Sequence, residues 1–259
     1  MGKELAFFEG EIVPVDSAKV GIMTHALHYG TAVFEGIRGN WNPIKEKMFV
    51  FRLKEHYERL IKGCKILNMD INYSVQDLCN ITIDLIKASE YKEDIYIRPL
   101  AYKSEEKVAN LKLHELDSSF ALMIVPFGNY IDNEKPIRCQ TSSWRRPHDS
   151  MMPTGVKLSG LYTTSILAKT EAIMAGFDEA ILLNFDGSVS EGSGENLFML
   201  RDGDLVTPSE TENCLLGITR DCVFEIASNE FGMEIKSRKI HRSEIYLADE
   251  VFLTGTAAH

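Results

Sequence analysis

Lys157 is the residue around which a reaction could be built. It lies in Val156-Lys157-Leu158-Ser159-Gly160-Leu161-Tyr162, an amine among small and apolar residues with a tyrosine close behind. Downstream, Ser190-Glu191-Gly192-Ser193-Gly194-Glu195-Asn196-Leu197-Phe198 sets a carboxylate into a glycine-rich stretch where backbone can approach a ligand closely. An amine that forms an imine with an aldehyde cofactor, an acid that keeps a ring nitrogen protonated and donors for a phosphate are the parts such a site needs. Gly217-Ile218-Thr219 opens a helix, where free amides, the helix dipole and a hydroxyl converge on any anion. Gly255-Thr256-Ala257-Ala258 offers a second loop of amides and a hydroxyl, and Arg52, between a strand and a helix, could pair a phosphate through its planar fork. On Tyr96-Ile97-Arg98 the strand alternation places Tyr96 and Arg98 on one face, fit for a carboxylate substrate or for a structural hydrogen bond. His25, His28, His56 and His148 have no metal-ligand spacing, and Asp94, Asp149 and Glu35 make no evident acid and base pair.

The elements that must position these residues belong to a chain of 259 residues, 44% hydrophobic, long enough for one large domain or two modest ones. A net charge of -10 argues against nucleic acid or an anionic membrane as partner. Five scattered cysteines, with no CxxC pair, point to a reducing, cytoplasmic setting without a disulfide framework or zinc cluster. The N-terminus lacks the apolar stretch of a signal peptide, and no apolar run reaches membrane-spanning length.

Leu5 to Val15 reads as a hairpin, Thr24 to Tyr29 as a helical turn, Thr31 to Arg38 as a strand, Asn40 to Pro43 as a turn and Met48 to Arg52 as a strand. Leu53, Tyr57, Leu60, Ile61 and Cys64 have helical spacing, and Ser74 with Asp77 resembles a capping box opening a second helix. Strands follow at Asp94 to Tyr102, Ser119 to Pro126 and Pro136 to Ser143, with the polar stretch Gly128 to Lys135 as a linker. Tyr162 to Ala175 is predicted as a helix with Ile166, Leu167, Thr170 and Ile173 inward. Hairpins turning at Asp186-Gly187 and Asp202-Gly203, a helix from Gly217 to Phe231, a short helix from Ser243 and a strand from Glu250 to Thr254 complete an α+β chain in two domains.

Several separated blocks, in order along the whole chain, resemble the fold-type IV pyridoxal-phosphate enzymes and most closely the branched-chain amino-acid aminotransferases. They are His25-Ala26-Leu27-His28-Tyr29-Gly30-Thr31, Phe34-Glu35-Gly36-Ile37-Arg38, Phe51-Arg52 with Glu55-His56, Tyr96-Ile97-Arg98-Pro99, Ser142-Ser143-Trp144, Lys157 with Tyr162, Ser190 to Phe198, Gly217 to Asp221, and Leu247 to Phe252 leading into Gly255-Thr256-Ala257-Ala258. The resemblance implies a small α/β N-terminal domain over 1–127, a linker over 128–136 and a larger cofactor domain over 137–259 built on a β-barrel-like sheet. It also implies a C-terminal tail beyond His259, which the chain is expected to lack.

By the same resemblance Lys157 would bind pyridoxal 5'-phosphate as an imine and then shuttle the substrate proton. Glu191 would pair with the ring nitrogen and Tyr162 with the ring hydroxyl; Arg52, Ile218, Thr219 and Thr256 would hold the phosphate, with Leu215 and Gly217 completing the cofactor site. Tyr96, Thr256 and Ala257 would receive the substrate carboxylate, Tyr29, Phe34, Phe127 and Tyr130 would line the side-chain pocket with Arg38 near its mouth, and Arg98 would meet the distal carboxylate of glutamate. No metal is implied. The expected reaction moves an amino group between branched-chain L-amino acids and 2-oxoglutarate in a homodimer or higher homo-oligomer, with Tyr29 serving the neighbouring copy. D-amino-acid transamination and aminodeoxychorismate lysis are the alternatives on the same fold. At Val108-Ala109-Asn110, relatives often carry a glycine and then an apolar residue, so side-chain preference is the part of the resemblance that this chain departs from.

Overall fold

Alternating apolar residues in the first half of the chain build one antiparallel sheet. The computed structural model describes residues 2–128 and 135–257; Tyr130 and Ala258, singled out above, and most of the expected linker lie outside the described residues. In order come β1 (Leu5–Phe8), β2 (Glu11–Pro14), α1 (His25–Tyr29), β3 (Ala32–Phe34), β4 (Ile37–Asn42), β5 (Lys47–Val50), α2 (Leu53–Ile66), α3 (Val75–Ser89), β6 (Ile95–Lys103) and β7 (Ser118–Pro126). The seven strands are ordered β2-β1-β7-β6-β4-β5, with β3 also paired to β6. Ile95 and Ile97 on β6 and Leu122 and Ile124 on β7 are buried, as are Tyr57 and Leu60 of α2 and Leu78 and Leu85 of α3. Each such side chain contributes about 1.5–3 kcal/mol by leaving water. At the start of α3, Ser74 Oγ accepts the Asp77 amide and Asp77 Oδ2 accepts the Ser74 amide, the expected capping box.

Two local expectations are corrected. The strand predicted over Thr31 to Arg38 is divided at Glu35-Gly36, although Phe34 opposite Leu100 and Ile37 opposite Ile97 keep one register and the Glu35 amide still donates to Pro99 O. The turn predicted at Asn40 to Pro43 lies later, at residues 43–46. Asn40 and Trp41 stay in the ladder opposite Phe49 and Met48, and Asn42 Oδ1 caps the turn by accepting the amides of Ile44 and Lys45.

Contacts divide the chain into one unit of Met1–Tyr130 with Val156–Gly160 and a second of Ile131–Gly155 with Leu161–His259. The segment carrying Lys157, read from sequence as part of the second domain, thus packs with the first. Its backbone is the reason: Leu158 bridges Val33, the Phe34 amide donates to Lys157 O, Ser159 donates to Ala32 O and Gly160 to Gly30 O. Gly30 has φ 64, and a Cβ there would stand 2.9 Å from Gly160 Cα, so this close approach requires glycine.

The second unit holds β8 (Cys139–Arg145), α4 (Tyr162–Met174), β9 (Glu179–Leu183), β10 (Val189–Gly192), β11 (Asn196–Arg201), β12 (Asp204–Thr207), α5 (Ile218–Phe231), β13 (Ile235–Ser237), α6 (Arg242–Ile245) and β14 (Glu250–Thr254). Its strands form a three-stranded sheet, β10-β9-β8, and a four-stranded sheet, β13-β12-β11-β14, with no closed barrel among the described residues. Ile181, Leu183 and Val189 from the first sheet and Leu197, Met199 and Val206 from the second share one apolar cluster with Ile240. Helix α4 buries Ser165, Ala168 and Ala172, not the predicted face: Ile166 and Ile173 are exposed. The small residues let the helix pack Ala168 and Ala172 closely against Ala180 and Leu182 of β9.

Candidate active site

In the first unit the chemistry gathers on β6 and the strands beside it. Tyr96 and Arg98 share a face, as the alternation requires, and Arg98 Nη2 donates to Tyr96 Oη at 2.9 Å. The Arg98 guanidinium lies 4.5 Å from the centre of the Phe34 ring and 5.1 Å from that of Tyr96. Lys157 Nζ is 5.2 Å from the centre of the same Phe34 ring. Phe127 extends the wall, 4.9 Å from Tyr96 between ring centres, with the Arg38 guanidinium 5.3 Å from its own centre and Arg38 Nη2 3.7 Å from Asp94. Gly36 leaves room for Tyr96, whose hydroxyl would lie 2.1 Å from any added Cβ. Lys157, Phe34, Arg98, Tyr96, Phe127 and Arg38 are therefore one constellation of cations on aromatic faces.

Tyr29 turns elsewhere: its hydroxyl accepts the amide of Ala109, itself at φ 58, and its ring packs 4.5 Å from that of His25. His25 is buried and bridges Thr31 Oγ1 and Asn110 O, so α1 and the loop at Ala109-Asn110 are tied together. Arg52 is the N-cap of α2, at φ 49 and ψ 41, a left-handed conformation that costs a non-glycine residue about 1 kcal/mol or more.

In the second unit Glu191, on β10, is buried with both carboxylate oxygens engaged. Oε1 pairs with Arg146 Nη2 at 2.9 Å and Oε2 accepts the Leu215 amide at 2.9 Å. Arg146 is buried as well and donates from Nε to Asn213 O at 3.0 Å. The loop from Leu215 to Gly217 is held by Asn196, whose Nδ2 donates to Leu215 O, and a Cβ on Gly217 would collide with Asn196 Oδ1 at 2.2 Å. Gly217 is the N-cap of α5 and supplies no side-chain cap, while Ile218 and Thr219 fall in the first turn, whose amides have no acceptor within the helix. Tyr162 begins α4, and Thr256 and Ala257 follow β14 in a turn beyond Gly255, which faces Gly194 O.

The amino-transferase class IV family matches residues 32–259. The chain belongs to the class IV aminotransferases. A probable branched-chain-amino-acid aminotransferase of Aquifex aeolicus is 50% identical over 98% of this chain and 82% of that protein. The crystal structure of the branched-chain aminotransferase from Thermoproteus uzoniensis with norvaline superposes with a TM-score of 0.95 at 43% identity, covering 100% of this chain and 85% of that one. The T.th. branched-chain amino acid aminotransferase complexed with N-(5'-phosphopyridoxyl)-L-glutamate gives 0.92 at 39% identity, covering 99% and 83%.

For this class IV aminotransferase chain, sequence reasoning passed over Arg146, Asn196 and the partners of Glu35. Asn196 sits within the quoted glycine-rich block, so its neighbours could have drawn attention to it. Arg146 follows Arg145 with nothing in its local pattern to mark one arginine as buried. Glu35, which makes no acid and base pair with Asp94 or Asp149 in the sequence pattern, is fully buried and accepts Arg59 Nε at 2.6 Å, Arg59 Nη2 at 2.8 Å and His56 Nδ1 at 2.8 Å. Among the described residues no cluster of three or more histidine, cysteine or acidic side chains could hold a metal ion. No described helix is long and apolar enough to cross a membrane.

Proposed function

We propose that this chain is a pyridoxal-phosphate-dependent transaminase that moves an amino group between leucine, isoleucine or valine and 2-oxoglutarate. The observation that carries the reading is the Phe34 ring, which has the Lys157 amine and the Arg98 guanidinium 5.2 and 4.5 Å from its centre. An amine for chemistry beside a cation on an apolar wall suits a substrate side chain that is apolar in one half-reaction and a carboxylate in the other. The named activity of the relatives and the phosphopyridoxyl compound and norvaline held by two of them point the same way.

The residues present fit the cofactor. Glu191, fixed between a guanidinium and an amide N–H, is a carboxylate suited to accept from a protonated ring nitrogen. The start of α5, uncapped by a side chain, suits a phosphate. When bound, pyridoxal phosphate supplies an aldehyde that condenses with amines and a ring that withdraws electrons from the α-carbon.

Lys157 Nζ would provide the resting amine, take the α-proton once substrate displaces it and return it on the other side of the transfer. Tyr162 Oη would donate to the ring hydroxyl. Arg52, the Ile218, Thr219 and Thr256 amides and the threonine hydroxyls would hold the phosphate, with Leu215 and Gly217 keeping that loop close. Tyr96, Thr256 and Ala257 would orient the substrate carboxylate. Phe34, Phe127, Tyr29 and Tyr130 would exclude water from the side chain, Arg38 would stand near the entrance, and Arg98 would neutralise the distal carboxylate of glutamate. A cytoplasmic homodimer, or a higher homo-oligomer in which Tyr29 serves the adjoining copy, completes the proposal.

The test is purified protein with L-leucine and 2-oxoglutarate. Glutamate should form, and Lys157→Ala should abolish it while the fold persists by circular dichroism. Release of pyruvate from aminodeoxychorismate with no glutamate, or turnover of D-amino acids alone, would replace this reading by the corresponding alternative.

A further inference from the structure

Glu35 occupies the break between β3 and β4, with its amide and both carboxylate oxygens engaged. Its amide donates to Pro99 O at 3.0 Å, and its carboxylate receives the two-pronged Arg59 fork and His56 Nδ1. A carboxylate cannot donate, so His56 Nδ1 carries the hydrogen of that bond. On one side of Glu35, the Phe34 amide holds Lys157 O at 3.1 Å and the Phe34 ring carries the Lys157 and Arg98 cations. On the other, Gly36 packs against the Tyr96 hydroxyl.

Across from it, His56 and Arg59 lie one and two turns beyond Arg52 on the same side of α2. The His56 amide closes on Arg52 O at 3.2 Å, so His56 belongs to the turn that Arg52 caps. Arg52 itself sits in a left-handed conformation, which persists only where surrounding structure imposes it. A leucine or methionine would fill the space of Glu35 without the several kcal/mol of desolvation that a buried ion carries. What the ion supplies in exchange is direction: a planar fork on a planar carboxylate fixes both distance and angle.

We propose that Glu35 is a positioning residue that locks α2, and with it Arg52, to the strand segment bearing Phe34 and Gly36. The phosphate-binding arginine and the substrate wall of the first unit are then one rigid piece rather than two. This rests on the functional reading above for the roles of Arg52 and Phe34, but the lock itself is a property of the chain. Its burial and its partners agree: burial favours the neutral acid, yet Arg59 and His56 hold Glu35 down to about 2.

The experiment uses the full chain with Glu35→Gln, which keeps volume and removes charge, and Lys103→Met as a destabilised control elsewhere in the first unit. Three quantities are read. Hydrogen exchange of the Phe34 amide and of the amides in the first turn of α2, without cofactor, should quicken about tenfold in Glu35→Gln and not in Lys103→Met when both are compared at equal distance below their own Tm. Titration with pyridoxal phosphate and steady-state kinetics with leucine should show Kd and KM raised about tenfold in Glu35→Gln alone. If Glu35→Gln does not fold, His56→Asn, which keeps a donor toward Glu35, and Arg59→Lys, which breaks the fork, take its place, and Arg59→Lys should be the more affected. Equal exchange and equal Kd in the matched variants would overturn the inference. Quickened exchange in Glu35→Gln with a wild type that binds no pyridoxal phosphate would uphold the lock and sink the functional reading instead.

Discussion

Glu35 in the first unit and Glu195 in the second are both buried glutamates, 0% and 7% exposed, and they are driven in opposite directions. Burial pushes each toward its neutral form. At Glu35, hydrogen bonds and charge from Arg59 and His56 more than offset burial, and the carboxyl is held down to about 2. At Glu195 the nearest donor is the Gly194 amide at 3.0 Å, and the charge of Glu179, itself buried beside Lys169, adds to burial; the carboxyl is pushed up to about 7. Depth therefore does not decide the charge of a carboxylate here. The donors and charges within reach do.

Breaking the better-served site should have the largest effect. Glu35→Ala strands Arg59 and His56 without their counter-charge, and urea unfolding should report a loss of about 4 kcal/mol. A third buried ion tests the middle of the range: Lys103 donates to Asn68 O, Leu116 O and Ser118 Oγ, all neutral, and burial lowers its pKa. Lys103→Met leaves two carbonyls without this donor and should cost about 2 kcal/mol by the same measurement. Glu195→Gln should go the other way, stabilising by about 1 kcal/mol at pH 8 and having little effect at pH 4, because an amide replaces an acid that the site prefers neutral.

The pH profile should separate the two acids with the smallest perturbation. The folded Glu35 value lies below the ordinary 4.5, so its contribution is complete above 4.5 and fades as pH falls toward 2. The folded Glu195 value lies above 4.5, so its contribution is complete below 4.5 and is lost as pH rises to about 7. Tm measured across this range should lose its acid limb in Glu35→Gln and its decline between 4.5 and 7 in Glu195→Gln. Unchanged slopes in both variants would mean that other groups set the profile.

What could be read from the sequence was what neighbours in sequence determine. The capping box of Ser74 and Asp77, the spacing of Tyr57, Leu60 and Cys64 on α2, and the pairing of Tyr96 with Arg98 on one face of β6 all depend on residues a turn or a pleat apart. The inward face of α4 was misread because hydrophobicity, not size, was taken as the guide; close packing on β9 selects Ala168 and Ala172 and leaves Ile166 and Ile173 outside. The Glu35 grip on α2 and the Arg146 clamp on Glu191 were illegible for another reason. Each joins residues whose separation along the chain carries no period, and only the folded backbone brings them together. The family resemblance named Lys157 but not the strand it leans on.

The five residues Val156–Gly160 are drawn from the middle of one unit to complete the other. A gene fragment ending at Tyr130 would encode the sheet, Arg98 and Phe34, yet omit Lys157 and leave the backbone of Ala32 and Phe34 facing the gap that Ser159 and Lys157 fill. Recombination, truncation or domain grafting that respects the apparent boundary near residue 130 would separate the Lys157 amine from the Phe34 ring it lies against.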